Sequence, residues 1–371
     1  MADNSIKDRI LILVPSLYSY GGIAQYFKVL KPHFSFPVEY FTRGVRTQHS
    51  TISRLLYPFV QLKDYIYFFR KLRSDDYAFV HLNTSFGWTG LMRDYVFILI
   101  LRATKTPYIV FFRGIDEDLI VKIEKYCINL FKNNFLKADK VIVLSQKLLS
   151  HLKKIDPQCP VFLETTVVDE AMLKHLNEKV LTKKFKSNHQ NMLFLARLEK
   201  DKGVYEVIEA FKIVNRKYPT CTLSICGQGK EYGTVKAMIK NIPNVNLLGY
   251  VSGDKKKEVF SRSSIYLFPS YHEGMPNSVL EAMAFGLPVI TTAVGGLVDF
   301  FIDGEMGYYV DKKNVQNLTE KIEYLLQKPS LALSMGLTNF QYAKEHFYSA
   351  VVAARLETYY TEIIHAHRKC S

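Results

Sequence analysis

Little in this chain of 371 residues points to a cross-linked or metal-built scaffold. Its five cysteines, at 127, 159, 221, 226 and 370, are odd in number, form no Cys-x-x-Cys, and have no histidines clustered with them. That pattern argues against a disulfide framework and a zinc site and fits a reducing compartment. Long hydrophobic runs are also missing. The longest, residues 95–101, has seven residues, against roughly 20 for a bilayer-spanning helix. The opening segment offers only the apolar run Ile10–Val14, too short for a signal-peptide core and suited to a first strand. No solenoid repeat, low-complexity tract, zinc finger or compact basic recognition helix appears, so the reading includes no nucleic acid partner.

The composition is that of a globular protein: 48% hydrophobic and 23% charged residues, over a length that suggests two domains. Net charge is +14, and it is uneven. Residues 1–190 carry 28 Lys and Arg against 17 Asp and Glu, whereas residues 191–371 carry 21 against 18. A basic first half suits anionic substrates or an anionic membrane surface. Residues 46–73 interleave Arg46, Arg54, Lys63, Arg70, Lys71 and Arg73 with Tyr57, Phe59, Tyr65, Tyr67, Phe68 and Phe69. One reading is a helix whose aromatic stripe packs into a core. The other is a helix lying on a bilayer with rings at headgroup depth. Arg93, Arg102 and Lys105 flank the apolar 95–101 run and favour lipid contact.

Short apolar strands are expected at 9–14, 38–41, 77–82, 108–112, 140–144 and 161–163, with helices near 23–33, 54–72, 89–103, 118–137 and 145–154. A Lys-rich polar passage at 174–190, with the domain boundary expected at Asn188, reads as the approach to a linker. A second series follows, with strands near 191–196, 221–226, 244–248, 264–268, 287–291 and 308–310. Its helices fall near 203–217, 230–240, 254–261, 278–285, 296–302 and 314–327, and residues 349–367 read as one long helix. Such alternation implies right-handed crossovers and parallel sheets covered on both faces. The expected fold class is therefore α/β, with two doubly wound domains facing a central cleft and ligands at the carboxyl ends of the strands.

Three motifs carry chemistry. Arg197 leaves the first strand of the second series, and Lys202 with Gly203 opens the next helix. Together they offer a bidentate fork and a point charge for a diphosphate. Downstream, Glu273-Gly-Met-Pro-Asn-Ser-Val-Leu-Glu281 places two carboxylates eight residues apart, across a loop feeding a helix. Ser278 and Glu281 also stand in capping-box relation, so Glu281 has a purely structural alternative. In the first half, Ser19-Tyr20-Gly21-Gly22 joins strand to helix, where glycines permit close backbone approach. Gly295-Gly296 follows a later strand and fits either ligand approach or a plain turn. Gly227-Gln-Gly229 lacks the third glycine of a dinucleotide fingerprint.

Taken together, these segments resemble the retaining, nucleotide-sugar-dependent glycosyltransferases of the GT-B fold, family 4, also called glycosyl transferases group 1. The resemblance covers most of the chain and is strongest over 191–310. It implies two Rossmann-like domains: an acceptor-binding one over 1–188, with the 349–371 helix packing back on it, and a donor-binding one over 189–348. It also implies that Arg197 and Lys202 neutralise the leaving diphosphate and that Glu273 touches the donor sugar. Glu281 would bond the ribose, and the amides of Gly274, Met275, Asn277 and Ser278 would cradle sugar and phosphate. Gly21, Gly22, Gly227 and Gly229 would lie close to the donor, with the base near Tyr250 and Val251.

One departure stands out. Family members commonly carry a histidine where this chain has Arg113, which cannot act as a base but suits an anionic acceptor or the departing phosphate. Asn83 and Asp116 join it as acceptor-side candidates, and His81 is a further edge candidate. Asp116-Glu-Asp118 formally matches the Asp-x-Asp of metal-dependent transferases with another fold and is read as coincidence. No metal and no cofactor are expected, because two side-chain cations can supply the metal's electrostatics.

The resulting expectation is a hexosyltransferase that takes a hexose or N-acetylhexosamine from a UDP-sugar, or second a GDP-sugar. Its acceptor would be a lipid-linked or anionic saccharide in surface polysaccharide biosynthesis. The enzyme would be cytoplasmic, in peripheral contact with the inner face of an anionic membrane. Two alternatives are a nucleotide-sugar 2-epimerase of the same fold, which needs no acceptor, and a non-catalytic glycan- or lipid-binding protein.

Overall fold

The computed structural model describes residues 8–17, 21–44, 57–114, 116–187 and 189–370. Ser19, Tyr20, Arg46, Arg54 and Asn188, named above, lie outside them. The chain divides into two compact units, 1–166 with 349–371, and 167–348.

The first unit is built on six parallel strands: β1 (Ile10–Val14), β2 (Val38–Thr42), β3 (Phe79–Ser85), β4 (Tyr108–Arg113), β5 (Lys140–Val143) and β6 (Val161–Leu163), in the order β2-β1-β3-β4-β5-β6. All five residues of β1 are buried, as expected of a strand covered on both faces. One face is covered by the helices Tyr57–Ser74, Trp88–Ala103, Glu117–Tyr126 and Ile128–Asn134, through a core that includes Phe68, Phe97, Leu101, Phe112 and Phe131. On the C-terminal helix, Ser349–Cys370, the fully buried Tyr360 packs on Phe79 and bonds Nδ1 of His81 at 2.8 Å. Arg355 grips Glu164, and Lys140 pairs with Glu362 at 2.5 Å. The first unit is thus completed by residues from the far end of the sequence.

The second unit carries β7 (Asn191–Leu195), β8 (Thr222–Cys226), β9 (Val245–Gly249), β10 (Ile265–Phe268), β11 (Val289–Thr291) and β12 (Gly307–Tyr309), all parallel, in the order β12-β11-β10-β7-β8-β9. This is the doubly wound Rossmann order, and its direction reverses at β7 and β10.

The expected boundary at 188/189 is corrected to 166/167. Residues 174–190 are no linker. They contain the helix Glu178–Ser187, anchored by buried Leu181 and Phe185, and Lys184 Nζ donates to Phe285 O at 3.1 Å. Only two apolar anchors one turn apart hold this helix, so its lysines dominate the sequence pattern. A second helix, Pro329–His346, has no counterpart in the sequence reading. Its inner face uses Ala332, Gly336, Asn339 and Ala343 rather than large apolar residues alone. A Cβ on Gly336 would lie 2.4 Å from Gly286 O, and Asn339 Nδ2 donates to Leu287 O and Met306 O, both at 2.7 Å. Close approach more than hydrophobic mass fixes this helix. Two smaller corrections follow: the expected 118–137 helix breaks at Cys127, and 296–302 is mainly a 3-10 turn, Gly295–Asp299.

Candidate active site

In the second unit the loops after β7 and β10 emerge side by side at the point where strand order reverses, the usual ligand position in such sheets. The turn Lys200–Lys202 is joined to the β10 loop by Tyr271 N to Asp201 O at 2.7 Å and Ser270 Oγ to Asp201 O at 3.1 Å. This fastening brings Lys202 onto Glu273. Lys202 is buried, and its Nζ lies 2.8 Å from Glu273 Oε1 and 3.3 Å from His272 O. Ser270 Oγ donates to the same carboxylate oxygen at 2.9 Å. The sequence motifs therefore meet as one ion pair with a hydroxyl brace.

Arg197 is not drawn into that cluster. Its side chain is 71% exposed and pairs with Glu199 at 3.3 Å. The loop carrying it is nonetheless fixed. Gly227-Gln-Gly229 runs against it so closely that a Cβ on Gly227 would lie 1.8 Å from Ala196 O. Ala196 N donates to Cys226 O at 3.1 Å, and Leu198 N to Gln228 O at 3.0 Å. These glycines brace the Arg197 loop. Gly227 N also donates to Gly249 O at 2.7 Å, which sets the exposed Tyr250 and the buried Val251 beside the same turn.

Glu281 does not cap its helix. Asn277–Ala284 starts after Pro276, with no side-chain cap. The carboxylate is buried instead, and its Oε1 receives Lys256 Nζ at 2.6 Å. Its other oxygen, Oε2, is buried without a hydrogen-bond partner among the described residues. A buried carboxylate oxygen left unpaired is costly, and a hydrogen-bond donor would relieve that cost. Lys256 escaped the sequence reading because it sits in a run of three lysines that looks solvated. Only the tertiary pairing distinguishes it.

Gly274, Met275, Asn277 and Ser278 line the approach to the helix amino end, where backbone donors favour anions. Gly295 resolves its two alternatives by packing. Its φ is +57°, and an added Cβ would sit 2.2 Å from Gly274 O and 2.5 Å from Glu273 O. Gly296 N donates to Gly274 O at 2.6 Å. The Gly-Gly turn thus holds the Glu273 loop from behind.

In the first unit the equivalent reversal lies at β1 and β3. Gly21 and Gly22 open the helix Gly22–Leu30, and a Cβ at either would meet nothing within 4 Å among the described residues. At the end of β4, Arg113 stacks its guanidinium over Phe111 and Tyr26, with Cζ 3.5 and 3.9 Å from the ring centroids. It donates to Asn83 Oδ1 from Nε at 3.0 Å and from a terminal nitrogen at 2.8 Å. Buried Asn83 is held by Leu13 O at 3.1 Å. No ion pair to Arg113 occurs among the described residues, and burial pulls its pKa down to about 10. His81 lies in the core rather than at an edge, and burial pushes its pKa well below the usual value. Asp116 is the N-cap of Glu117–Tyr126, accepting from Leu119 N at 3.0 Å. It also lines a cavity of about 370 Å³ with Trp88, Leu119, Lys122 and Tyr126. Among the described residues no group of three His, Cys, Asp or Glu side chains is arranged to hold a metal.

Comparison with known proteins gives the following. Residues 178–341 match the family model described as glycosyl transferases group 1. The capsular polysaccharide biosynthesis glycosyltransferase CapM of Staphylococcus aureus is 27% identical over 251 residues, 67% of this chain and 62% of that protein. N-acetyl-alpha-D-glucosaminyl L-malate synthase of Bacillus anthracis is 26% identical over 243 residues, 64% of this chain and 63% of that one. The chain thus spans about three-fifths of the length of these curated relatives. Among solved structures, sucrose-phosphate synthase from Thermosynechococcus elongatus aligns over 97% of this chain and 100% of its own, with TM-score 0.77 and 17% identity. Anabaena HepE, in complex with UDP and glucose, aligns over 96% and 100%, with TM-score 0.70 and 16% identity.

Proposed function

Residues 178–341 belong to glycosyl transferases group 1, on a GT-B fold, and from that premise we propose that this chain is a retaining glycosyltransferase. It moves a hexose or N-acetylhexosamine from a nucleotide-diphosphate sugar, UDP first and GDP second, to a lipid-linked or anionic saccharide. The observation that carries this reading is the Lys202–Glu273 pair together with Glu281, whose buried Oε2 has no hydrogen-bond partner among the described residues. HepE, crystallised with UDP and glucose, supports the choice of donor by its shared fold. The capsular relative supports surface-polysaccharide assembly; the proposed site of work is the cytoplasmic face of an anionic membrane.

Each residue has a role in this reading. Glu281 Oε2 accepts a ribose hydroxyl, and Lys256 keeps that carboxylate aimed. The amides at Gly274, Met275, Asn277 and Ser278 hold the diphosphate and sugar, and Glu273 bonds the sugar hydroxyls. Gly227, Gly229, Tyr250 and Val251 flank the base. Arg197, exposed on its braced loop, swings onto the diphosphate when donor binds, and Lys202 meets it there. In the chemical step the bond from the anomeric carbon to the phosphate oxygen breaks, and the acceptor oxygen attacks from the same face. Its proton passes to the leaving phosphate oxygen, whose charge Arg197 and Lys202 stabilise. Positioning and charge stabilisation supply the rate, with no metal and no cofactor. Asn83, Arg113 and Asp116 serve the acceptor side.

The test is saturation-transfer NMR against UDP-, GDP- and ADP-sugars without added metal, followed by nucleotide release with candidate acceptors. Binding of one nucleotide-sugar is expected, and Lys202→Ala is expected to lower turnover by about 100- to 1000-fold. Full turnover in Lys202→Ala would remove that residue from the mechanism. Conversion of the sugar without an acceptor would reassign the chain to epimerisation.

A further inference from the structure

The helix Tyr57–Ser74 is amphipathic the wrong way round. Its buried side carries Gln61, Asp64 and Phe68, and Asp64 accepts Gly44 N at 2.7 Å. Its outward side carries Phe59, Leu62, Ile66 and Tyr67, with Phe59 70% and Leu62 57% exposed. Lys63, Arg70 and Arg73 share that outward side, and the helix's only acid, Asp64, is the one turned inward. A water-facing helix places these residue classes the other way round.

The neighbouring elements continue the surface. Tyr65 packs on Phe97 of Trp88–Ala103 at 4.8 Å, so these two helices lie side by side. The second exposes Trp88, at 52%, together with Met92 and Leu99. Trp88 and Tyr126 then line one cavity with Asp116, Leu119 and Lys122, which joins the helix Glu117–Tyr126; that helix exposes Val121, Lys122 and Lys125 together with the acids Asp118 and Glu124. All three helices cover the same face of the first sheet through one core. In the second unit the exposed large apolar side chains are fewer and fall singly or in pairs, as in Leu248 with Tyr250 and Val298 with Ile302. A contiguous apolar field of this kind marks a contact surface.

We propose that the outer face of helices 57–74, 88–103 and 117–126 lies on an anionic lipid bilayer. Phe59, Leu62, Ile66 and Trp88 enter the headgroup–acyl boundary, while Lys63, Arg70, Arg73 and Lys122 meet lipid phosphates. Charge decides the occupant: the exposed charges of the inverted helix are all positive, which complements anionic headgroups and opposes an identical surface on a second copy. Aromatic and aliphatic side chains ringed by cations are what interfacial helices use to settle at that depth. The proposal deepens the membrane side of the function above, naming the surface that would bring a lipid-linked acceptor within reach. It stands on its own observation. Loss of vesicle binding would leave the donor chemistry intact, and loss of donor binding would leave the surface intact.

Trp88 is the only tryptophan in the chain, so its fluorescence reports this face alone. The full chain is mixed with phosphatidylcholine vesicles, with or without phosphatidylglycerol, and followed by co-sedimentation. Trp88 emission is recorded with and without brominated acyl chains. Binding to the mixed vesicles is expected, with a blue shift, quenching by bromine and weakening at high salt. The triple variant Phe59→Ser, Leu62→Ser, Ile66→Ser is expected to bind at least about tenfold more weakly, with unchanged thermal midpoint and nucleotide-sugar binding. Arg70→Gln with Arg73→Gln is expected to lose about tenfold on mixed vesicles and little on neutral ones. Unquenched Trp88 in the presence of mixed vesicles would overturn the proposal. So would vesicle binding that the triple variant retains, or a dimer in solution that shields Trp88.

Discussion

At the carboxyl edge of the second sheet, charge meets charge: Lys202 on Glu273, and Lys256 on Glu281. At the same edge of the first, the guanidinium of Arg113 lies on two aromatic rings and a neutral amide. Both sheets are six-stranded and parallel, so the difference lies in the loops. The second unit has its charges mutually oriented before any ligand arrives, which suits a partner of fixed shape such as a nucleotide diphosphate. The first holds a desolvated cation with no ion pair among the described residues, an arrangement that costs stability. Under the proposed function the preset pairs would serve the donor and the Arg113 cation an anionic acceptor.

This contrast can be broken most severely at Lys256. Lys256→Met is expected to weaken nucleotide-sugar binding by about 10- to 100-fold, the worth of a charged hydrogen bond to a buried carboxylate. Lys256→Arg should restore most of it. A purely structural lysine would lower the thermal midpoint in both variants and leave donor affinity as in wild type.

Gly295→Ala comes next. With φ at +57° and backbone oxygens in the way, it should cost more than about 1 kcal/mol in denaturant unfolding. It should also weaken donor binding by displacing the Glu273 loop. If donor affinity survives while stability falls, the Gly-Gly turn is scaffolding alone. Arg113→Gln sharpens the first-unit side. The expected outcome is an acceptor KM raised about tenfold, an unchanged donor Kd, and a thermal midpoint equal to or above wild type. A fall in donor affinity would move Arg113 to the diphosphate.

The smallest effects are in the pH dependence of stability, and they run in parallel for different reasons. His81 is kept neutral in the folded first unit, so the unfolded chain binds the extra proton as pH drops below its ordinary pKa of 6.5. Stability is lost there on the acid side. In the second unit, burial lowers Lys184 to about 7 from 10.5. The unfolded chain then binds more protons between those values, and stability rises with pH across that window. Lys184→Met should flatten the alkaline rise, and His81→Asn the acid fall, in thermal melts over about pH 5 to 10. A melt in which Lys184→Met keeps the full alkaline slope would refute this assignment.

The sequence was legible where function imposes spacing and silent where packing does. The strands of both sheets fall within a few residues of their expected places because apolar runs between turns have few other uses. Lys202 and Glu273 were each singled out by their motifs, but their meeting as an ion pair was not, because it depends on β10 lying beside β7. Lys256 was not, since a lysine that reaches across to Glu281 looks like its two solvated neighbours. The helix Pro329–His346 was hidden because its packing face relies on Ala, Gly and Asn, whose value lies in being small or in donating to Leu287 and Met306. The inverted helix Tyr57–Ser74 was half legible. Aromatic–basic interleaving was plain, but which side faced inward depended on Asp64 finding the backbone of Gly44, a contact with no local signature.

The return of the helix Ser349–Cys370 to the first unit has a consequence for biosynthesis. The second unit, 167–348, is in effect an insertion: its entering and leaving segments are tied by Val168 N to Phe347 O at 2.8 Å. On the ribosome the first unit's sheet is made first but cannot be finished. Tyr360, Arg355 and Glu362, which close over His81, Glu164 and Lys140, are translated only after the whole inserted unit. The inserted unit completes its fold while its host waits, reversing the usual order in which the earlier domain matures first.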